Sequence, residues 1–222
     1  MARIALDAMG GDHAPQAPIE GALLALGELG PALRIVLVGK TPEIASVLDG
    51  ELHGPFASLA GEGGRERIEI VEAPDVIEMS DKPTAAIRSK PNSSMAVGLK
   101  LHASGHADAF VSCGNTGAQM AASVFLLKLH DGLTRPAIGT VFPTARKPLV
   151  VLDAGANVDC SAEELVQFAR LGDVYAEDIL GRPNPSVALL SIGEEAEKGN
   201  AAVKEAHRLL QAADLNFHGN VE

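Results

Sequence analysis

Strand-like and helix-like stretches alternate along almost the whole chain, and few folds accommodate that order. "RIALDA" (3–8) reads as a buried strand, and "PIEGALLALGEL" (18–29) as a helix, with Ile19, Leu23, Leu26 and Leu29 at helical spacing. "RIVLVG" (34–39) is a second strand, followed by a short helix over 42–48 with Thr41 as its N-cap. Residues 49–66 hold five glycines and read as a loop. "IEIVEA" (68–73) is a strand. The polar segment 74–92, with Pro74, Pro83 and Pro91, reads as a loop of the kind that folds over a pocket. Ser93 or Ser94 caps a helix to about residue 103, which Gly105 ends. Residues 108–113 form a strand and 116–129 a helix. Strands are expected over 136–142, 148–153 and 186–193, and another begins at 216–219. Ser161 and Glu164 have the spacing of a capping box opening a helix to about residue 180. A helix over 194–213 is expected to break near Gly199.

Such alternation implies a parallel sheet with helices on both faces. The strand order does not follow from the sequence. The length allows one large domain or two small ones, and one α/β domain over 1–222 is expected. The core must be aliphatic, because 46% of residues are hydrophobic but only 3% aromatic. The formal net charge is −11, opposite in sign to a nucleic-acid-binding surface. Cys113 and Cys160 lie far apart, with neither disulfide-framework nor zinc-ligand spacing, and suit a reducing cytoplasm. The N-terminal apolar run is too short for a signal peptide, and no window approaches the roughly 20 apolar residues of a membrane span.

In a parallel sheet all strands end on one rim, where ligands bind. The exits here are "DAMGGDHAP" (7–15), "SCGNTGA" (112–118), "DAGANVDC" (153–160), "SIGEEAEKGN" (191–200) and "HGNVE" (218–222). Each carries glycine beside small polar or acidic groups, which suits a site built from backbone amides. Gly114, Asn115, Thr116 and Gly117 lead from a strand into a helix N-terminus. That is the place for an anion, although a plain tight turn fits too. Asp7 and Asp153 fit capping of nearby N–H groups. Lys82, Arg88 and Lys90, beside Ser93, form a basic cluster suited to a phosphate clamp or to a solvated loop. Asp12 and His13 stand on the rim, as do Asp159, Glu194, Lys198 and Asn200. His102 and His106 have metal-pair spacing, but Gly105 interrupts their helix, so no metal is expected. Cys160 precedes a helix N-terminus, where a thiol pKa can fall, yet both cysteines read best as small packed residues.

Taken together, "DAMGGDHAP", "SDKPTAAIRSKPNSSM", "VSCGNTGA", "RPAIGTVFPT", "LDAGANVDC", "LLSIGEEAEKGN" and "HGNVE" resemble the signatures of PlsX, the bacterial phosphate acyltransferase family of phospholipid synthesis. The resemblance runs from residue 1 to residue 222 in the family's order. It implies transfer of an acyl group from acyl carrier protein to inorganic phosphate, with no cofactor, on a Rossmann-like three-layer α/β/α fold with a mostly parallel sheet, related to phosphotransacetylases and isocitrate dehydrogenase. It implies a cytoplasmic homodimer at the membrane periphery, feeding a glycerol-3-phosphate acyltransferase. Family chains continue past "HGNVE", so a C-terminal portion is expected to be lacking. For the reaction, the 114–117 amides, Lys82, Arg88 and Lys90 would hold phosphate, and backbone amides of the neighbouring exits or the Asn157 side chain would donate to the carbonyl oxygen. The alternatives are a phosphotransacetylase-like enzyme using acyl-CoA and a non-catalytic anion-binding or scaffold module.

Overall fold

The computed structural model describes residues 1–54, 58, 61, 63–155, 157 and 159–222. They gather into two compact units, Met1–Lys128 and Leu129–Glu222.

The first unit is built on a parallel sheet of β1 (Ala2–Asp7), β2 (Leu33–Gly39), β3 (Ile68–Glu72) and β4 (Ala109–Val111), in the order β3-β2-β1-β4. β2 is buried on both faces, which explains its unbroken apolar run. Leu33, Ile35 and Leu37 face α1 (Gln16–Leu29) and α2 (Thr41–Leu52), packing on Ile19, Leu23, Leu26, Ile44 and Leu48. Val36 and Val38 face the opposite way with Ala5, against Val97 and Leu101 of α4 (Ser94–Ala103). At about 1.5–3 kcal/mol per fully buried aliphatic side chain, these two layers are the main source of stability. α3 (Pro83–Ser89) and α5 (Thr116–Leu126) complete the unit, packing Ile87, Ala118 and Ala122 around Met95 and Leu99 of α4.

Three expectations about local structure change here. The 74–92 segment is not an irregular lid: Pro83 opens α3, where proline's fixed φ suits the first turn and its missing N–H costs nothing. In α2, Thr41 lies inside the first turn, and the N-cap is Lys40 without a side-chain bond. That helix also runs on to Leu52, into the stretch expected as loop, and Arg65–Arg67 forms a 3-10 turn. The rest of the expected glycine loop falls partly outside the described residues.

The chain lays β2 and β3 to one side of β1 and then returns to place β4 on the other. The strand order therefore reverses between β1 and β4. In open α/β sheets the crevice at such a reversal, beyond the strands' C-terminal ends, is where ligands bind.

The second unit contains an antiparallel pair, β5 (Gly139–Phe142) with β6 (Leu149–Leu152), and a parallel pair, β7 (Val187–Leu190) with β8 (Phe217–Val221). The turn at 143–148 is too short for a parallel crossover, so β5 and β6 must run antiparallel. α6 (Ala162–Val174) opens with the expected capping box between Ser161 and Glu164, then loosens into a π-helical turn over Tyr175–Ile179. α7 (Ala201–Gln211) starts at Asn200, whose Oδ1 accepts the Val203 N–H at 2.9 Å. Residues 194–199 are not helical, so Gly199, at φ +94°, precedes the helix rather than breaking it. Ala162, Leu189, Ala206 and Leu210 are the core of this unit.

Candidate functional site

At the reversal between β1 and β4 the two strand exits touch. Leu6 pairs with Val111, so Asp7 and Ser112 leave the sheet side by side. The loop after β1 then passes so close to the loop after β4 that a Cβ on Gly10 would lie 2.9 Å from the Gly114 nitrogen and 2.7 Å from Asp7 Oδ2. Only glycine allows that approach.

The 114–117 loop divides into used and unused donors. The Gly114 N–H donates to Ser112 Oγ at 3.0 Å. The Ala118 N–H is capped by Asn115 Oδ1, also at 3.0 Å. Among the described residues the N–H groups of Asn115, Thr116 and Gly117 have no acceptor. Thr116 is exposed. These are the donors that a helix N-terminus leaves unpaired, at the end where the helix carries partial positive charge.

Several side chains assigned to the site turn out to hold the scaffold. Asn115 is 7% exposed, and its Nδ2 reaches the carbonyls of Glu78, Met79 and Asp81 at 3.3, 3.2 and 3.1 Å. With its oxygen on the helix, it staples the 78–81 turn to α5 and has nothing left for a ligand. Ser93 is fully buried and is the N-cap of α4, accepting the Ala96 N–H at 3.3 Å. The Lys90 ammonium donates to the Val76 carbonyl at 2.8 Å and to Asp81 Oδ2 at 2.5 Å. That bond, with one from the Glu78 N–H, holds the Asp81 carboxyl below its ordinary value. Gly117 faces α3: a Cβ there would lie 2.8 Å from Pro83 Cγ, so the glycine serves the close approach of two helices.

Lys82 and Arg88 remain. Both are exposed, and neither side chain makes a hydrogen bond or ion pair among the described residues. Lys82 is the N-cap of α3, next to the Pro83 that touches Gly117, so its chain starts beside the unpaired amides. Arg88 is in the last turn of α3, about 8 Å along the axis from Pro83.

An apolar cleft of about 630 Å³ lies in the same unit, over β1 and β2 and beside α1. Its floor includes Ile4, Leu6 and Ile35, and Ala17, Gly21 and Ala25 of α1 line one wall. Gly10, Gly11, Asp12, His13 and Cys113 also border it, so it reaches the glycine-rich rim. The side chains of Asp12 and His13 are exposed and without partners among the described residues.

In the second unit, Asn157 cannot be an oxyanion donor as it stands. Its Nδ2 donates to the Pro136 carbonyl at 3.2 Å and to Asp153 Oδ1 at 3.0 Å, which uses both hydrogens. Asp153 also accepts the Asn157 N–H at 2.8 Å and the Cys160 thiol at 3.3 Å, so it caps the loop as its position suggested. Burial first, and then this bond to Asp153, push the Cys160 thiol up to about 11. A thiol held protonated is a poor nucleophile, contrary to the lowering its place before a helix suggested. The Asp159 carbonyl accepts from Arg135 at 3.0 Å, and Asn200 is the α7 cap. Glu194 and Lys198 are exposed, and their side chains lack partners among the described residues.

Sequence reasoning passed over Ser112 and Asp81, which organise the loop, and His207. The last is 7% exposed and faces Asn220 Oδ1 through Nδ1 at 2.9 Å, while Asn220 Nδ2 holds the Glu195 carbonyl. No group of three or more His, Cys, Asp or Glu among the described residues is placed to hold a metal ion. No described helix is long and apolar enough to cross a membrane.

The fold, a mostly parallel sheet flanked by helices, is that of the phosphotransacetylase-like α/β proteins. EutD phosphotransacetylase from Staphylococcus aureus superposes with a TM-score of 0.62 at 16% identity, over 100% of this chain and 68% of its own. A branched-chain phosphotransacylase from Enterococcus faecalis V583 gives 0.57 at 15% identity, with the same coverage. Residues 2–222 match the family described as Fatty acid synthesis protein, and the chain belongs to that family. The phosphate acyltransferase of Salinibacter ruber is 52% identical over 221 residues, that of Desulforamulus reducens 49% over 222, and that of Aquifex aeolicus 45% over 222. The chain spans 62–63% of the length of these relatives.

Proposed function

We propose that this chain carries the phosphate-binding and acyl-transfer machinery of a phosphate acyltransferase, which moves an acyl group from the thiol of an acyl carrier protein to inorganic phosphate. The observation that carries the reading is the set of unpaired Asn115, Thr116 and Gly117 N–H groups at the sheet's reversal point. Lys82 stands beside them and Arg88 further along α3. In a chain of net charge −11, an anion needs that local compensation.

Near neutral pH inorganic phosphate is already anionic and needs orientation and charge neutralisation more than deprotonation. A phosphate oxygen attacks the thioester carbonyl carbon. A C–O bond forms, the C–S bond breaks, and the carrier thiol leaves with the electron pair and takes up a proton. No acyl-enzyme is needed, in keeping with the protonated Cys160. The apolar cleft reaching Gly10–His13 and Cys113 supports an acyl substituent beside the anion, with Asp12 and His13 at its border. Glu194 and Lys198 are the proposed rim groups of the second unit. The homodimer, the cytoplasmic membrane-peripheral location and a glycerol-3-phosphate acyltransferase as consumer rest on the family resemblance, and the single α/β domain over 1–222 on chain length.

The test is hydroxylamine trapping of acyl phosphate from long-chain acyl carrier protein and phosphate, with acyl-CoA as a parallel donor. Phosphate-dependent acyl hydroxamate from the carrier-bound donor supports the reading. Product from acyl-CoA alone would make the enzyme phosphotransacetylase-like, and phosphate binding without product would make it a binding module.

A further inference from the structure

We propose that the buried Asp7 is a positioning residue for the anion loop, acting through the Ser112 hydroxyl. The proposal rests on the phosphate reading of the 115–117 amides. Asp7 is 2% exposed and forms no salt bridge among the described residues. Burying a carboxylate without a cation is costly unless hydrogen bonds compensate. Here they do: Oδ1 accepts the Met9 N–H at 3.0 Å and Oδ2 accepts the Ser112 hydroxyl at 2.7 Å.

The carboxylate also sets a direction. It can only accept, and a hydroxyl has one proton, so the Ser112 proton is committed to Asp7. The serine lone pairs are then what the Gly114 N–H meets, at 3.0 Å. Carboxylate, hydroxyl and amide form a one-way chain from the end of β1 to the start of the loop. A charged acceptor makes such bonds shorter and stronger than neutral ones. With Gly114 anchored to Ser112 and Ala118 held by Asn115, both ends of the loop are fixed. The three N–H groups between them are left for a ligand, already ordered before it arrives. Gly10 belongs to the same device, because a Cβ there would sit 2.9 Å from both Ser112 Oγ and the Gly114 nitrogen. At 2% exposure Asp7 is placed to act on the loop through the Ser112 hydroxyl rather than on substrate.

The test compares the 222-residue chain with its Ser112→Ala, Ser112→Thr and Asp7→Asn variants. Inorganic phosphate is titrated calorimetrically, and the KM for a long-chain acyl thioester is measured alongside. Ser112→Ala and Asp7→Asn are expected to raise the phosphate Kd by at least about tenfold while the acyl-donor KM changes by less than about twofold. Ser112→Thr, which keeps the hydroxyl, is expected to return the phosphate Kd to within about threefold of the parent. If Asp7→Asn fails to fold, the Ser112 pair decides alone. Unchanged phosphate affinity in Ser112→Ala, parallel loss of both substrates, or no recovery in a folded Ser112→Thr would each overturn the proposal. A parent chain that binds no phosphate overturns the inference together with the anion reading. Phosphate bound without acyl phosphate formed overturns the reaction alone.

Discussion

The side-chain amide of Asn115 donates to the backbone carbonyl of Asp81 at 3.1 Å, across thirty-four residues of sequence. Through it, and through the companion bonds to Glu78 and Met79, the basic segment is fastened to the first turn of α5. These bonds, together with the close approach of Gly117 and Pro83, bring Lys82 to the loop whose amides are free.

Asn115→Ala should therefore lose more than a helix cap. The cap is worth about 1 kcal/mol, and three carbonyls lose a donor, so a total near 2–3 kcal/mol is expected in urea unfolding. Asn115→Asp separates the two roles. Aspartate caps as well as asparagine but presents oxygen to three carbonyl oxygens. At neutral pH it should be at least as destabilising as alanine, and parent-like stability of Asn115→Asp would leave only the cap.

Gly117 and Pro83 are expected to be energetically coupled. Gly117→Ala adds a Cβ 2.8 Å from Pro83 Cγ, and overpacking of this kind costs about 1–3 kcal/mol. Shortening the neighbour with Pro83→Ala should relieve the clash. A double-mutant cycle should give a coupling of at least about 0.5 kcal/mol. Additive effects would mean that α3 and α5 do not meet at this pair.

The three cations of the basic segment should separate by role. Lys82→Ala and Arg88→Ala are expected to raise the phosphate KM by at least about tenfold, with little change in stability. Lys90→Met acts on stability first, because its ammonium ties Asp81 to the Val76 carbonyl. The Asp81 carboxyl is held below its ordinary 3.8 chiefly by Lys90. A depressed carboxyl stabilises the fold above its unfolded value, and the gain disappears as pH falls through the folded value. Parent and Lys90→Met should thus differ at neutral pH and converge as pH drops below 3.8. A constant difference down the acid limb would rule out this pair as its source.

Cys160 should stay unalkylated by iodoacetamide at pH 7–8 in the folded chain, and Cys160→Ser should keep most of the acyl-transfer activity. A thiol raised from 9.0 to about 11 ionises in the unfolded chain first. The stability it contributes is complete below about 9 and is lost as pH climbs toward about 11. An acyl group trapped on Cys160 would refute direct transfer.

The sequence made the alternation, the β2 run and the capping box of α6 legible, because burial on two faces and cap spacing are local signals. It also pointed to the loop at 114–117. It did not tell ligands from struts. Asn115, Lys90 and Asn157 have the chemistry of a binding site, but their acceptors lie on segments brought near only by the fold, whereas Ser93 caps its own helix by accepting from the Ala96 N–H. Prolines at 83 and 91 read as loop punctuation, whereas Pro83 begins α3 and Pro91 follows its end. Asp7 and Ser112 are 105 positions apart, and only the β1–β4 pairing makes them neighbours.

Phosphate binding by the free amides after β4 can be read at each amide by a ¹H–¹⁵N titration with inorganic phosphate. Saturable downfield shifts of the Asn115, Thr116 and Gly117 signals with a common Kd are expected, with smaller changes at Gly114 and Ala118, whose N–H groups are already paired. Shifts that saturate elsewhere on the rim while these three amides stay still would contradict it.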